Sequence, residues 1–352
     1  MFRLVARAAS ALALASALAL TVTTPALADP PVPAATDLVG VGSPLTQGLY
    51  NRISSDYNAA LAAAGDTASP RIYSWDATGN TSIIPKSGAD EIRRPNSTQA
   101  GLFELTMRTN RTLDFSRAYR GMLSTDLPNT LFVAIARDAV TWAAPAGGHA
   151  PANLTAWQVR SIYACEVTNW RQIDPALPDA TIHPLLPGGR FSPSDTALAL
   201  YRVLNKLSVT SPFSFGGCVA GVATENQGTS PEFQDPDAIV PYSAGHYVGQ
   251  VYGGHGGPGD QPGSLTLRSF GGLVPVDQVN HIVASAFGAS QFAYLVTTAV
   301  RSEDWYSTEP RGVALRAIFG FNGWVCRSNE GRAILRSYGF VPHPGCGAPE
   351  HS

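Results

Sequence analysis

A chain of 352 residues, 44% hydrophobic and 14% charged, is ample for two α/β domains with cores of their own. Its 24 Lys and Arg against 26 Asp and Glu leave a formal net charge of −2, without the basic excess that the phosphates of a nucleic-acid partner call for.

Arg3 and Arg7, an Ala/Leu run from Ala8 to Leu20, and Ala26-Leu27-Ala28 are the three parts of a secretory signal cleaved near Ala28. The apolar run falls short of the roughly 20 residues of a spanning helix, and no later segment replaces it. The first cysteine is Cys165, so the signal holds no acceptor for a lipid. Residues 1–28 are read as a signal peptide, with no membrane anchor and a secreted, extracellular or periplasmic, mature protein. Pro30, Pro31 and Pro33 make 29–36 a stiff polar leader, and the fold is expected to begin near Asp37.

Leu38 to Gly42 reads as a short strand and a glycine turn, and Ser43-Pro44 as an abrupt helix start: Ser43 an N-cap, Pro44 the first helical position. Leu45, Leu49, Ile53, Tyr57 and Leu61 then recur every four residues. First-turn N–H groups at the positive end of the helix dipole favour an oxyanion or carboxylate there. Arg71 to Trp75 reads as a strand and 76–93 as a turn-rich excursion. Asn96-Ser97-Thr98 caps a helix carrying Leu102, Phe103 and Leu105, which offers another set of first-turn amides. A short strand follows from Leu113 to Arg117, a buried one from Leu131 to Ile135, and a continuation over Asp138 to Trp142.

Asn153-Leu154-Thr155 caps a helix with Trp157, Val159, Ile162 and Tyr163 on its apolar faces. Gly188-Gly189-Arg190-Phe191-Ser192-Pro193 repeats the opening device, a glycine turn and a Ser-Pro start, ahead of Leu198, Tyr201, Val203, Leu204 and Leu207. Either copy alone reads equally as an ordinary cap. Two copies in separate halves point to a ligand held between two lobes. Ala238 to Ser243 is the return crossing, a Gly- and Pro-rich loop spans 253–263, and a helix near 331–338 ends the chain. The alternation of strands and helices predicts an α/β protein of two lobes, each a mostly parallel sheet flanked by helices, with the ligand cleft between. Lobe 1 is expected over 37–139 plus 243–352, and lobe 2 over 140–242.

Four cysteines in an exported chain imply two disulfides with three connectivities. Cys165 with Cys218 and Cys326 with Cys346 keeps each pair within one proposed lobe, as structural staples. Other chemistries lack support. Pro241-Tyr242-Ser243-Ala244-Gly245 has proline where a nucleophile elbow wants glycine. Gly254-His255-Gly256-Gly257-Pro258-Gly259 is denied the helix a dinucleotide needs. His246, His255 and His281 lack the close spacing of a zinc site. No catalysis, cofactor or metal is expected.

Asn153-Leu154-Thr155, Ile162-Tyr163 and Val167-Thr168-Asn169-Trp170 resemble the signature of the bacterial extracellular phosphate-binding proteins of ABC transporters, which have the type II periplasmic-binding-protein fold. Gly40-Val41-Gly42-Ser43, Arg137-Asp138-Ala139-Val140, Ile239-Val240-Pro241-Tyr242 and Tyr338-Gly339-Phe340-Val341-Pro342 occur in that family's order. Tyr73 to Ala77, Arg94-Pro95-Asn96 and Glu225 to Thr229 look closest to its actinobacterial members. The resemblance implies a monomer that binds phosphate in a dry cleft between lobes. It carries over Ser43 and Thr46 from the first loop, Ser97 and Thr98 from the second, and Asp114 and Arg117 from the third. Tyr119 stands where the family's phosphate-proton acceptor is expected, and Gly189 to Pro193 stands in place of the family's Ser-Gly-Thr loop. Arg190 and Ser192 are then the second lobe's expected contribution, with the Arg190 guanidinium folded inward. The implied function is capture of inorganic phosphate or a related small anion for an ABC importer, with its permease as partner. The alternatives are a secreted non-transport binding module of the same fold for another ligand, and a secreted hydrolase.

Overall fold

The computed structural model describes residues 29–79, 81–107, 111–222, 225–257 and 259–350, and the expected signal peptide lies outside them. The architecture is built on one long strand. Thr130–Pro145 runs 16 residues, joining the two segments expected as separate strands, because Arg137-Asp138 between them carries no turn signal. Its first half pairs antiparallel with Ala293–Arg301, which pairs in turn with Phe115–Ala118. Beyond lie Leu38–Gly42 and Ile72–Ser74, both parallel to their neighbours. The second half pairs antiparallel with the return strand Ala238–Ser243, and His183–Pro187 and Ala220–Val222 continue that side in parallel. Each flank is thus a parallel α/β sheet, and the strands between them are antiparallel.

Leu265–Phe270, assigned to lobe 1, pairs with the Trp142–Pro145 end of the long strand and with Asn153–Leu154, on the lobe 2 side. The chain therefore crosses between the halves more often than the two recognised crossings require.

Helix Gln47–Ala63 buries Leu49, Tyr50, Ile53 and Tyr57, the face that the four-residue spacing marks. The Asn153 to Trp170 signature is structural. Thr155 and Asn169 each form a reciprocal capping box with the glutamine three residues on, and buried Trp170 donates from Nε1 to Asp237 Oδ1 at 2.6 Å. Both expected disulfides form, Cys165–Cys218 and Cys326–Cys346, with Cα separations of 5.9 and 5.6 Å. On the loop-entropy account each stabilises by about 3 to 4 kcal/mol.

The leader differs from expectation. Pro33 is buried and its carbonyl accepts from Ser87 N, while Asp29 forms a two-pronged pair with Arg94 at 2.7 and 2.6 Å. Residues 29–36 are thus tied into the fold that was expected to begin near Asp37, because a guanidinium fork 65 residues away holds Asp29. Among the described residues, no helix is long and apolar enough to cross a membrane.

Candidate functional site

A cleft of about 1760 Å³ is bounded by the opening turn, the start of helix Thr98–Met107, the start of helix Asp195–Lys206 and the glycine-rich loop after residue 252. The opening turn owes its shape to glycine. Gly42 has φ +127°, and a Cβ on Gly101 would stand 2.4 Å from Ser116 Oγ and 2.7 Å from Gly42 Cα. The second helix therefore lies directly against the first loop, which brings the Ser43 and Thr98 regions together.

Arg117 is the floor of this corner. It is fully buried, and its guanidinium donates to the carbonyls of Ser43 at 3.3 Å, Trp75 at 2.7 Å and Gly42 at 3.2 Å, and to the Ser74 hydroxyl. Among the described residues it has no carboxylate partner within ion-pair distance. Burial lowers its pKa to about 10, with the negative charge of Asp76 opposing, so the group stays cationic at neutral pH. It pulls loop carbonyls downward and lends the corner a positive charge that, among the described residues, only the nearby charge of Asp76 opposes, with no direct ion pair.

Buried polar atoms without a protein partner gather around it. Ser43 Oγ, Thr46 Oγ1, Ser116 Oγ and Asn51 Oδ1 all belong to this corner. The opening differs from the expected cap: Pro44–Thr46 is a 3₁₀ turn, the α-helix starts at Gln47, and Ser43 makes no side-chain cap. Its hydroxyl is uncommitted because the turn replaces the first α-helical amides it would have met. Each such group represents about 1 to 3 kcal/mol of unmet hydrogen bonding if it stays dry.

The second lobe supplies a different chemistry. The helix there starts at Asp195, with Ser194 as the N-cap accepting from Ala197 N at 3.3 Å. Ser192 and Pro193 lie before it, so the expected Ser-Pro start is displaced by two residues. Asp195 Oδ2 accepts from Thr98 N at 3.1 Å and from Thr98 Oγ1 at 2.8 Å, across the cleft. Thr98 Oγ1 in turn accepts from Tyr119 N at 3.0 Å, while Ser97 Oγ caps the helix by accepting from Ala100 N. Glu225 accepts from Thr196 N, and its Oε2 is buried without a partner. Burial, then the neighbouring Asp195 charge, pushes its pKa up to about 7.

Behind the cleft, Asp138 ties the crossing strands together. It accepts from Tyr119 Oη at 2.8 Å, from the Ser243 hydroxyl, and from the amides of Ala139 at 2.6 Å and Gly245 at 2.7 Å. Tyr119 is thereby committed as a donor inside the protein, where burial and the Asp138 charge keep it protonated. Ser243 is fully buried and also accepts from His246 N at 2.9 Å, which is a helix-cap role and leaves no exposed nucleophile. His246 lines the cleft with its ring paired to Asp260 Oδ1 at 2.6 Å. Burial opposes its charged form, but the Asp260 charge outweighs that and raises its pKa above the ordinary value. No group of three or more His, Cys, Asp or Glu that could hold a metal occurs among the described residues.

The expected site residues divide accordingly. Ser43, Thr46, Ser97, Thr98 and Arg117 are brought to one corner. Asp114 is not. It is fully buried at the far end of its strand pair, where Oδ2 accepts from Val39 N at 2.8 Å and from Lys86 Nζ at 2.6 Å. Arg311 Nε stands 3.0 Å from its Oδ1 without the alignment of a hydrogen bond. Arg190 is exposed and packs over the Phe191 ring at 5.3 Å, with Phe191 94% exposed, so the inward arrangement does not occur. Two consecutive positive-φ glycines, Gly188 and Gly189, turn the loop outward at that point. Ser192 lines the cleft rim but is exposed. Sequence reasoning gave Ser194, Asp195 and Glu225 no ligand-binding role, since a cap or loop role accounts for Asp195 as well as any chemistry does. Ser194-Asp195 directly before an apolar period is itself a cap signal, masked by the Ser-Pro pair two residues earlier.

No protein-family model matches the sequence, and no curated protein does. Solved structures do. The chain is similar to an ABC-type phosphate transport receptor from Vibrio cholerae, with a TM-score of 0.57 and 14% identity, covering 87% of this chain and 100% of that one. It is similar to a protein from Clostridium perfringens with bound phosphate, named a putative phosphate ABC transporter substrate-binding protein: TM-score 0.55, 14% identity, 87% and 99% covered. A phosphate-binding protein from Stenotrophomonas maltophilia matches with TM-score 0.54 and 12% identity, over 89% and 92% of the two chains. At these identities the likeness is one of fold.

Proposed function

We propose that this chain, which has the two-lobe fold of the periplasmic binding proteins, is an exported receptor that captures a small oxyanion, inorganic phosphate first, for delivery to a membrane importer. The observation that carries the reading is Arg117: a fully buried cation without a carboxylate partner, beneath the uncommitted hydroxyls of Ser43 and Thr46. An oxyanion at that corner would neutralise the charge, accept from the hydroxyls and sit at helix-start amides, meeting all three needs at once. Nothing in the arrangement supplies an activated nucleophile, so binding without catalysis is the reading. The mature chain works outside the cytoplasm, with the signal removed near Ala28, and the halves close about the crossings at Asp138 and Ser243.

A larger ligand bearing such an anion is the second reading, favoured by a cleft of about 1760 Å³, far beyond what one phosphate fills. Calorimetric titration of residues 29–352 with phosphate, sulfate and small phosphoesters separates the two. Saturable one-to-one phosphate binding supports the first. Binding of an ester with no phosphate binding up to millimolar concentration replaces it with the second.

A further inference from the structure

We infer that Asp195 is a tethered occupant of the anion seat at Thr98, a latch that closes the ligand-free protein on its own carboxylate and that an incoming oxyanion must displace. The inference rests on the oxyanion reading above and adds what competes for the site.

The geometry is that of a bound anion. One carboxylate oxygen accepts both the first amide of helix Thr98–Met107 and the hydroxyl of the same residue, at 3.1 and 2.8 Å. The helix has ten residues, enough to present a positive end, and both partners are buried, Thr98 at 4% and Asp195 at 5% exposure. Ordinary caps come from the residue before their own helix, and Ser97 already fills that role here by accepting from Ala100 N. Asp195 instead arrives from 97 residues away, out of the facing half of the molecule, at the first position of its own helix. The contact therefore exists only while the halves are together.

The surroundings show why the carboxylate and an external oxyanion exclude each other. Glu225 shares the Asp195 helix start, so two acidic side chains already face the corner. A phosphate against Thr98 would place its charge directly against the Asp195 carboxylate, a like-charge cost that withdrawal of Asp195 relieves. Ser43 and Thr46 hold no such occupant, and their hydroxyls stay uncommitted. Half the corner is thus filled by the protein and half is available. Capture becomes an exchange: two hydrogen bonds to a carboxylate break, the halves part, an anion enters, and the same donors rebind it on closure. The apparent affinity is lowered by whatever free energy the latch contributes.

The test uses Asp195→Ala, which removes the acceptor, and Thr98→Val, which removes the hydroxyl donor and leaves the amide, in residues 29–352. Small-angle scattering reads the radius of gyration without ligand, and calorimetry reads inorganic phosphate. Both variants are expected to expand relative to the parent when ligand-free, and phosphate is expected to bind Asp195→Ala about tenfold more tightly than the parent, since the competing closed state is lost. Thr98→Val should expand and bind phosphate more weakly, because it also loses a donor. Identical ligand-free radii for folded parent and variants overturn the latch. So does measurable phosphate binding by both parent and Asp195→Ala with no gain in the variant. Expansion of both variants without phosphate binding by any protein keeps the latch and removes phosphate as the reading of the site.

Discussion

The opening turn and the start of the helix at Asp195 use the same sequence device and arrive at opposite electrostatics. Both place glycines and a Ser-Pro pair before an apolar helix. At the opening turn a 3₁₀ segment frees Ser43 and Thr46, and among the described residues the buried Arg117 beneath them has no carboxylate within ion-pair distance. At the other start the helix begins later, Ser194 is spent on capping, and Asp195 and Glu225 fill the space in front. A helix start is therefore no more than an opportunity for an anion. What lies under it and beside it decides whether that anion is a ligand or a side chain of the protein.

The largest expected effect lies on the first side of this comparison. Arg117→Met would strand the carbonyls of Gly42, Ser43 and Trp75 in a dry interior and remove the positive charge of the floor. Stability in urea unfolding should fall by about 3 kcal/mol or more, and phosphate binding should vanish. Retained binding would show that the cation is not what the corner offers.

On the second side, Glu225 gives a pH signature. Its carboxyl is raised from the ordinary 4.5 to about 7 by burial and the Asp195 charge, so the native protein holds a proton that the unfolded chain has released in that window. Stability present below about 4.5 is then lost as pH rises to about 7, and levels off above it. Thermal melts across that range should show the decline, and Glu225→Gln should flatten it; an unchanged profile in the variant would assign the slope elsewhere.

The two serines sharpen the contrast at a smaller scale. Ser43→Ala should weaken phosphate by about 1 to 2 kcal/mol and leave melting unchanged, since its hydroxyl bonds nothing in the protein. Ser194→Ala should lower stability by about 1 kcal/mol through loss of a cap. Exchanged outcomes in calorimetry and melting would mean the roles are reversed. Arg190→Ala, at an exposed residue packed over Phe191, should change either quantity by less than about 0.5 kcal/mol.

Local patterns were legible in the sequence where one element decides them. The buried face Leu49, Ile53 and Tyr57, the strands on either side of the crossing, the Thr155 cap and both disulfides need only periodicity, cap chemistry or the order of the chain. Ser43, Thr46, Thr98 and Arg117 share a corner because the opening strand, the second helix and the third strand are packed together, which the family resemblance anticipated. Most of the misses depend on partners far along the chain. Asp195 meets Thr98 across 97 residues, Asp114 meets Lys86 and Arg311 from separate elements, and Asp29 is held by Arg94 across 65. No spacing rule reports such pairs. Arg190 was misplaced for a local reason instead, since Gly188 and Gly189 reverse the chain before it and a motif position does not fix where a side chain points.

The central claim is that an oxyanion takes the Ser43 and Thr98 corner in exchange for Asp195. A crystal structure of residues 29–352 grown in phosphate tests it directly. The account predicts a phosphate within hydrogen-bond reach of the Ser43 and Thr98 hydroxyls, with Asp195 withdrawn from Thr98. Asp195 still seated on Thr98, with the Ser43 and Thr46 hydroxyls bonded to no anion, would contradict it.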